Sequence, residues 1–285
     1  MRNDFVALIL THGRPNVLTT KTLRKCGYTG RIIYVLDDED KTRPQYELNY
    51  GSKDIALFSK DEMERTMDMC DNGGSRAVAV YARNACFDIA KKFGYKYFME
   101  LDDDYTAFDY TYASKEGDFK RKGIKNLDNI LEYMLEYYES IPALAIAMAQ
   151  AGDFIGGAGN QIIRNQELKR KCMNTWLCSV ERPFKFLARM NDDVTTYITI
   201  GNRGGVFLQV PQVNIVQEAT QKVSGGMTEV YRDSGTYLKT FYSIINEPSF
   251  VKVSQIGYRH RRIHHNIDWA HGVPKIVAEE LRKGV

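Results

Sequence analysis

The chain lacks most of the features that would mark a secreted, membrane-bound or metal-stapled protein. It has five cysteines in 285 residues, namely Cys26, Cys70, Cys86, Cys172 and Cys178. An odd number with no CxxC pair, placed in apolar or helical contexts, argues against a disulfide framework and for reduced thiols. No apolar run approaches the roughly 18 residues that a bilayer span needs. No apolar h-region follows the opening "MRNDF", so the expectation is a soluble, unexported, cytoplasmic protein with no membrane partner. Charge bias is also scarce. Lys and Arg number 39 against 36 Asp and Glu, a formal +3, which is too little to argue for nucleic-acid binding, so local patches must carry any such case. Neither an HExxH motif nor a cysteine near the histidines is present, and a structural zinc site is not expected. Internal repeats, low-complexity tracts and linkers are missing too.

What the chain does have is apolar bulk, 44% hydrophobic and 12% aromatic, enough to bury one large core. "FVALILT" from Phe5 to Thr11 is a continuous apolar run, as a strand covered on both faces would be, and "HGRPN" breaks it. A helix is expected from Val17 to Cys26, with Gly27 just past its end. "RIIYVL" repeats the buried-strand pattern before "DDED", and "DIALF" supplies a third strand. "YARNACFDIAKKFG" reads as a helix lined by Ala82, Cys86, Ile89 and Phe93, and "YKYFMEL" as the next strand. Alternating strands and helices imply a parallel, doubly wound α/β sheet. Further on, "SKEGDFKRKGIKN" reads as a surface loop and "LDNILEYMLEYY" as an amphipathic helix. "ALAIAMAQ" reads as a strand, "GGVFLQVPQVNIV" as strands around Pro211, and "TYLKTFYSII" as a helix.

In an open parallel sheet, ligands bind beyond the carboxyl ends of the strands. Here those ends carry Thr11 to Arg14, Asp37 to Asp40, and Asp102 to Asp104. Three adjacent carboxylates repel one another unless a cation sits among them, and alternate carboxylates at a strand end can hold a hard cation, with positions left for water and a diphosphate. A solvated acidic turn is the alternative. Downstream, "MNDDVTTY" holds a second acidic pair, Asp192 and Asp193, suited either to helix capping or to taking a proton from an attacking hydroxyl. Four of the five histidines cluster in "YRHRRIHHNIDWAH". "GDFIGGAGN" is a glycine-rich turn that could approach a sugar through its backbone.

"THGRP", "LDDED", "ARN" and "LDDDY", in that order, resemble the GT-A glycosyltransferases. More narrowly, "LILTHGRPNVLTTKTLRKCGYTGRIIYVLDDED", "VYARNACFDIAKKFGYKYFMELDDDY" and the terminal "RIHHNIDW" resemble the phage TET-associated glycosyltransferases. The resemblance implies a single GT-A-type domain over 1–285. Its nucleotide-binding half would end near residue 110, and an acceptor-binding half with a C-terminal tail would follow. It implies a metal, Mn²⁺ or Mg²⁺, bound by Asp102 and Asp104 and completed by His264 or His265, and a UDP-sugar donor. Thr11, Arg14, Asp37, Asp38, Arg83, Asn84 and Asp103 would line the nucleotide. Asp192 or Asp193 would serve as the base.

The implied acceptor is a 5-hydroxymethylpyrimidine in DNA. Three basic patches suit it, "FKRKGIK", "LKRKCMNTW" and the arginines Arg259, Arg261 and Arg262, since such patches contact phosphates. An extruded base could stack on Trp176 or Tyr105. A GT-A transferase with a polysaccharide, lipid or protein acceptor remains an alternative, as do a nucleotidyltransferase and a non-catalytic binding module.

Overall fold

The computed structural model describes residues 1–114, 118–150, 153, 172–217, 238–257 and 261–282. Its centre is a nine-stranded mixed sheet built from β1 (Phe5–Leu10), β2 (Ile32–Asp37), β3 (Ile55–Phe58), β4 (Tyr97–Asp102), β5 (Tyr105–Ala113), β6 (Phe119–Gly123), β7 (Ala145–Gln150), β8 (Thr175–Ser179) and β9 (Phe207–Gln217). The spatial order is β3-β2-β1-β4-β8-β7-β9-β5-β6. The first four strands are parallel. Beyond them β8 runs antiparallel to both β4 and β7, β7 runs parallel to β9, and β5 runs antiparallel to β9 and β6. The expected parallel sheet therefore holds for the first half of the chain and becomes mixed in the second, within the α/β class that was expected.

β1 and β2 are buried along their whole length, as their unbroken apolar runs require. Residues of alternate parity serve two cores. Ile9, Met99 and Leu101 face one that also holds Leu23 of α1 (Leu18–Lys25), Tyr46 of α2 (Arg43–Tyr50) and Leu131 of α5 (Leu127–Ser140). Leu8, Leu10 and Phe98 face another, with Cys86 of α4 (Val80–Lys92) and Ile198 of α6 (Asp192–Asn202). α3 (Lys60–Arg65), α7 (Leu238–Asn246) and a separate antiparallel pair, β10 (Val251–Ile256) with β11 (Arg262–Ile267), complete the described elements. Gly27 closes α1 at φ +88, where a Cβ would lie 2.4 Å from the Lys125 carbonyl oxygen. The end of α1 can thus approach the start of α5 only with glycine there.

Three expectations change. Lys120, Arg121 and Lys122 lie on the edge strand β6 and not in a loop, because β5 offers its free edge to them. "GGVFLQVPQVNIV" forms one strand whose register against β7 jumps from Val210 to Asn214, so Pro211 falls where no ladder hydrogen bond is needed. Trp176 and Tyr105 are fully buried and offer no face to a base. All five cysteines are free, and among the described residues no helix is long and apolar enough to cross a membrane.

Candidate active site

The order β2-β1-β4 makes β1 the strand on either side of which the chain winds in opposite directions, and the crevice of such a sheet opens beyond its carboxyl end. In the register, Leu10 is opposite Asp102, which sets the loop after β1 against the three aspartates. Asp103 turns into that loop, where it accepts hydrogen bonds from Thr11 Oγ1 at 2.8 Å and Arg14 Nη1 at 3.0 Å. One of the three like charges is thereby neutralised. α1 fixes the backbone around the others. Thr19 Oγ1 donates to the Asp102 carbonyl at 2.6 Å and accepts from the Tyr105 N–H at 2.9 Å, while Thr22 Oγ1 donates to the Tyr105 carbonyl at 2.7 Å. Threonines three apart share a helix face, so "LTTKT" forms a clamp on the acidic turn.

Arg83 of α4 is the hub on the other side. The residue is 4% exposed, and its guanidinium lies 3.4 Å from Glu100 Oε2, 3.5 Å from Asp102 Oδ1 and 2.9 Å from Asp192 Oδ2. The pairing with Asp192, which brings the second acidic cluster to the first, is not readable from spacing. Burial pushes the Asp102 carboxyl up to about 7. Arg83 opposes that rise, and the charges of Asp104, Asp103 and Asp193 add to it. Burial likewise raises Asp192 to about 6 against Arg83, with Asp193 contributing, and Glu100 to about 8. The site thus carries more negative charge than Arg83 balances.

Asp193 shares the first turn of α6 with Asp192 and accepts the Val194 N–H at 2.7 Å. Of the pair, Asp192 is engaged with Arg83, which leaves Asp193 the other face of the turn. Lys239, Arg262 and His264 gather nearby. Lys239 is lowered by burial, raised by Asp193 and lowered again by Arg262, and His264 is lowered by burial, Arg262 and Lys239. His265 Nδ1 lies 3.0 Å from Ser243 Oγ and 3.5 Å from Asn191 Nδ2, so β11 abuts the residue that precedes the acidic pair. His264 and His265 stack on each other with centroids 4.4 Å apart.

Among the described residues, no three His, Cys, Asp or Glu side chains converge as a ligand set, so His264 and His265 do not stand with Asp102 and Asp104 as a preformed cage. The donors fit an ion nonetheless. Mg²⁺ in nucleotide sites typically takes one or two carboxylates and fills its shell with phosphate oxygens and water. Asp102 and Asp104 would supply that share, at a turn where burial raises Asp102, Arg83 opposes the rise and the neighbouring aspartates add to it.

A network around the first two strand ends was only partly visible in the sequence. His12 Nδ1 is 2.6 Å from Asp37 Oδ2, and Lys60 Nζ is 2.9 Å from Asp37 Oδ1. Burial raises Asp37, yet the bonds from His12 and Lys60 prevail and hold it at about 2. The hydrogen bond to Asp37 raises His12. Asp40 accepts the Gly13 N–H at 2.9 Å, and the Tyr46 hydroxyl bonds Thr11 Oγ1 at 2.7 Å and accepts the Arg14 N–H at 2.9 Å. His12 sits inside the quoted "THGRP"; Tyr46 and Lys60 arrive from α2 and the start of α3 with no motif to announce them. Exposed Asp38 accepts the Lys60 N–H at 3.1 Å. Asn84 brackets Phe186, donating to its carbonyl at 3.1 Å and accepting its N–H at 2.8 Å.

The "GDFIGGAGN" turn, apart from Asp153, lies outside the described residues, as do Lys169, Arg170 and Lys171 of the second basic patch, and Arg259. No curated protein matches the chain. The model of the TET-associated glycosyltransferase family matches residues 5–226, spanning the strand-end aspartates, Arg83 and the acidic turn of α6, and the chain belongs to that family.

Proposed function

We propose that this glycosyltransferase moves a sugar from a UDP-sugar to the hydroxyl of a 5-hydroxymethylpyrimidine in DNA, in a metal-dependent step. The observation that carries the reading is Arg83, whose one guanidinium ties the strand-end carboxylate Asp102 to Asp192 at the head of α6. A donor diphosphate and an acceptor hydroxyl could therefore meet across a fixed frame. Thr11, Arg14, Asp37, Asp38 and His12 would line the nucleoside. Asp102 and Asp104 would hold Mn²⁺ or Mg²⁺, with His264 and His265 the histidines available from the neighbouring pair of strands. The ion would supply charge neutralisation on the departing diphosphate.

Asp193 would take the proton of the attacking hydroxyl. The hydroxymethyl oxygen bonds to the anomeric carbon as the bond from that carbon to the diphosphate breaks, and the proton ends on the Asp193 carboxylate. Asp192, engaged with Arg83, positions the turn. Lys239 and Arg262 add positive charge beside it. Lys120, Arg121 and Lys122, all exposed on β6, are placed for phosphate contacts without base reading.

Two variants test the reading. Asp104→Ala should abolish transfer, and a chelator should do the same to the wild-type protein. Asp193→Asn should lower kcat about 100- to 10,000-fold with little change in the KM for the donor. Undiminished turnover in chelator would contradict the metal, and undiminished kcat in Asp193→Asn would contradict the base.

A further inference from the structure

Of the chain's two tryptophans, Trp269 is the one that the fold leaves at the surface. It is 42% exposed, whereas Trp176 is sealed in the core. Its ring lies on Tyr197 of α6, with centroids 5.8 Å apart and planes 16° from parallel. Tyr197 is itself buried, so one face of the indole is covered and its exposed area belongs to the opposite face and the edges. Tyr197 stands four residues after Asp193 on the same helix, and residues so spaced are neighbours on one helix face. A second contact fixes the strand that leads to Trp269. His265 Nδ1 lies 3.0 Å from Ser243 Oγ and 3.5 Å from Asn191 Nδ2. The chain therefore meets the residue before the acidic pair at His265 and the second turn of α6 at Trp269.

The strand pair before this ring is cationic and open to solvent. No Asp or Glu occurs from Pro248 to Ile267, the stretch that contains β10 and β11, and Lys252, Arg261 and Arg262 within it are exposed. Asp268, the acid next to the ring, is engaged locally: Oδ1 accepts the Ala270 N–H at 3.0 Å, and Oδ2 lies 2.9 Å from His271 Nδ1. A flat ring with a free face, joined to a strand pair that carries exposed cations, is a combination that holds single-stranded nucleic acid. Bases stack on the ring and phosphates meet the cations.

We propose that the outer face of Trp269 is the stacking platform for an unstacked base of the DNA acceptor. A base taken out of its stack is received by stacking on aromatic or apolar side chains. Trp269 offers such a surface beside the helix that carries Asp193, where buried Trp176 and Tyr105 do not. Stacking tolerates any base, so Trp269 sets affinity and placement and leaves recognition of the hydroxymethyl group to other residues. The inference rests on the proposed DNA acceptor and names the surface that would seat it.

The test measures tryptophan fluorescence, melting temperature and transfer for the wild type, Trp269→Ala and Trp269→Phe. An unmodified single-stranded oligonucleotide should quench the wild-type emission, because one of the two emitters is exposed. Trp269→Phe, left with buried Trp176, should show no quenching. With an oligonucleotide containing 5-hydroxymethylcytosine, the KM for DNA should rise about 5- to 150-fold in Trp269→Ala, the range for losing one base–aromatic stack. The KM for the UDP-sugar should not change. Trp269→Phe keeps a ring face and should recover most of the loss. If Trp269→Ala melts lower yet binds and modifies the oligonucleotide as the wild type does, the indole only covers Tyr197, and the inference fails while the acceptor stands. If wild-type protein modifies no oligonucleotide and a saccharide acceptor quenches Trp269 instead, the DNA reading has failed and takes this inference with it.

Discussion

Arg83 decides most of what happens in the centre of this site. It is buried with three carboxylates within 3.5 Å, an arrangement in which removing the cation costs far more than the pairs contribute net, because the acids are left unpaired. Arg83→Ala should therefore lower the unfolding free energy by about 3–5 kcal/mol in urea titration. A full-length variant of unchanged stability would mean that the carboxylates are solvated. Glu100 offers a finer probe. Its folded value of about 8 lies above the ordinary 4.5, so its contribution is complete below 4.5 and is lost as the pH climbs through 8. Glu100→Gln, which keeps the shape and removes the titration, should flatten the fall in melting temperature as the pH rises from the ordinary value of 4.5 up to about 8. An identical slope over that range in the variant would show that Glu100 is not the group that titrates there.

At the scale of elements, β6 is the test case. Lys120, Arg121 and Lys122 occupy an edge strand whose partner β5 brings Tyr112 opposite Lys120 and Tyr110 opposite Lys122, and charged edges also keep strands from pairing with other chains. The triple alanine variant should weaken DNA binding for every sequence alike and flatten the slope of log affinity against log salt by up to about 0.9 per lost phosphate contact. Wild-type affinity and slope in that variant would assign the charges to edge protection alone. β6 also marks the limit of what the sequence discloses. "FVALILT", "RIIYVL" and "YKYFMEL" declare themselves because strands buried on both faces have no polar alternation to confuse them. "FKRKG" becomes a strand only because β5 leaves an edge free, a tertiary fact with no local signature. The basic patch "LKRKCMNTW" ends in Thr175 and Trp176, which open the strand β8 inserted beside β4. At the site, Thr11, Arg14 and the aspartates were legible because they stand at strand ends. Tyr46, Lys60, Thr19 and Thr22 were not, since their roles exist only once α1, α2 and α3 have packed.

The whole molecule places two polar systems on either side of one pivot. The parallel half, β3-β2-β1-β4, joins the loops after β1 and β2 in one hydrogen-bonded network. The mixed half carries the acidic turn of α6 and the basic edge of β6, and the guanidinium of Arg83 spans from Asp102 of β4 to Asp192 of α6. Such a division matches a reaction in which a nucleotide-borne donor meets an unrelated acceptor, and the family match over residues 5–226 covers both sides. The most direct measurement is the mass of nucleosides recovered after the protein is incubated with Mn²⁺, a panel of UDP-sugars, and DNA with or without 5-hydroxymethylcytosine. The account predicts a gain of one sugar residue on hydroxymethylcytosine alone, abolished in Asp104→Ala and strongly reduced in Asp193→Asn. Sugar transfer that needs no metal, or that proceeds on a saccharide or protein while hydroxymethylated DNA stays unmodified, would contradict it.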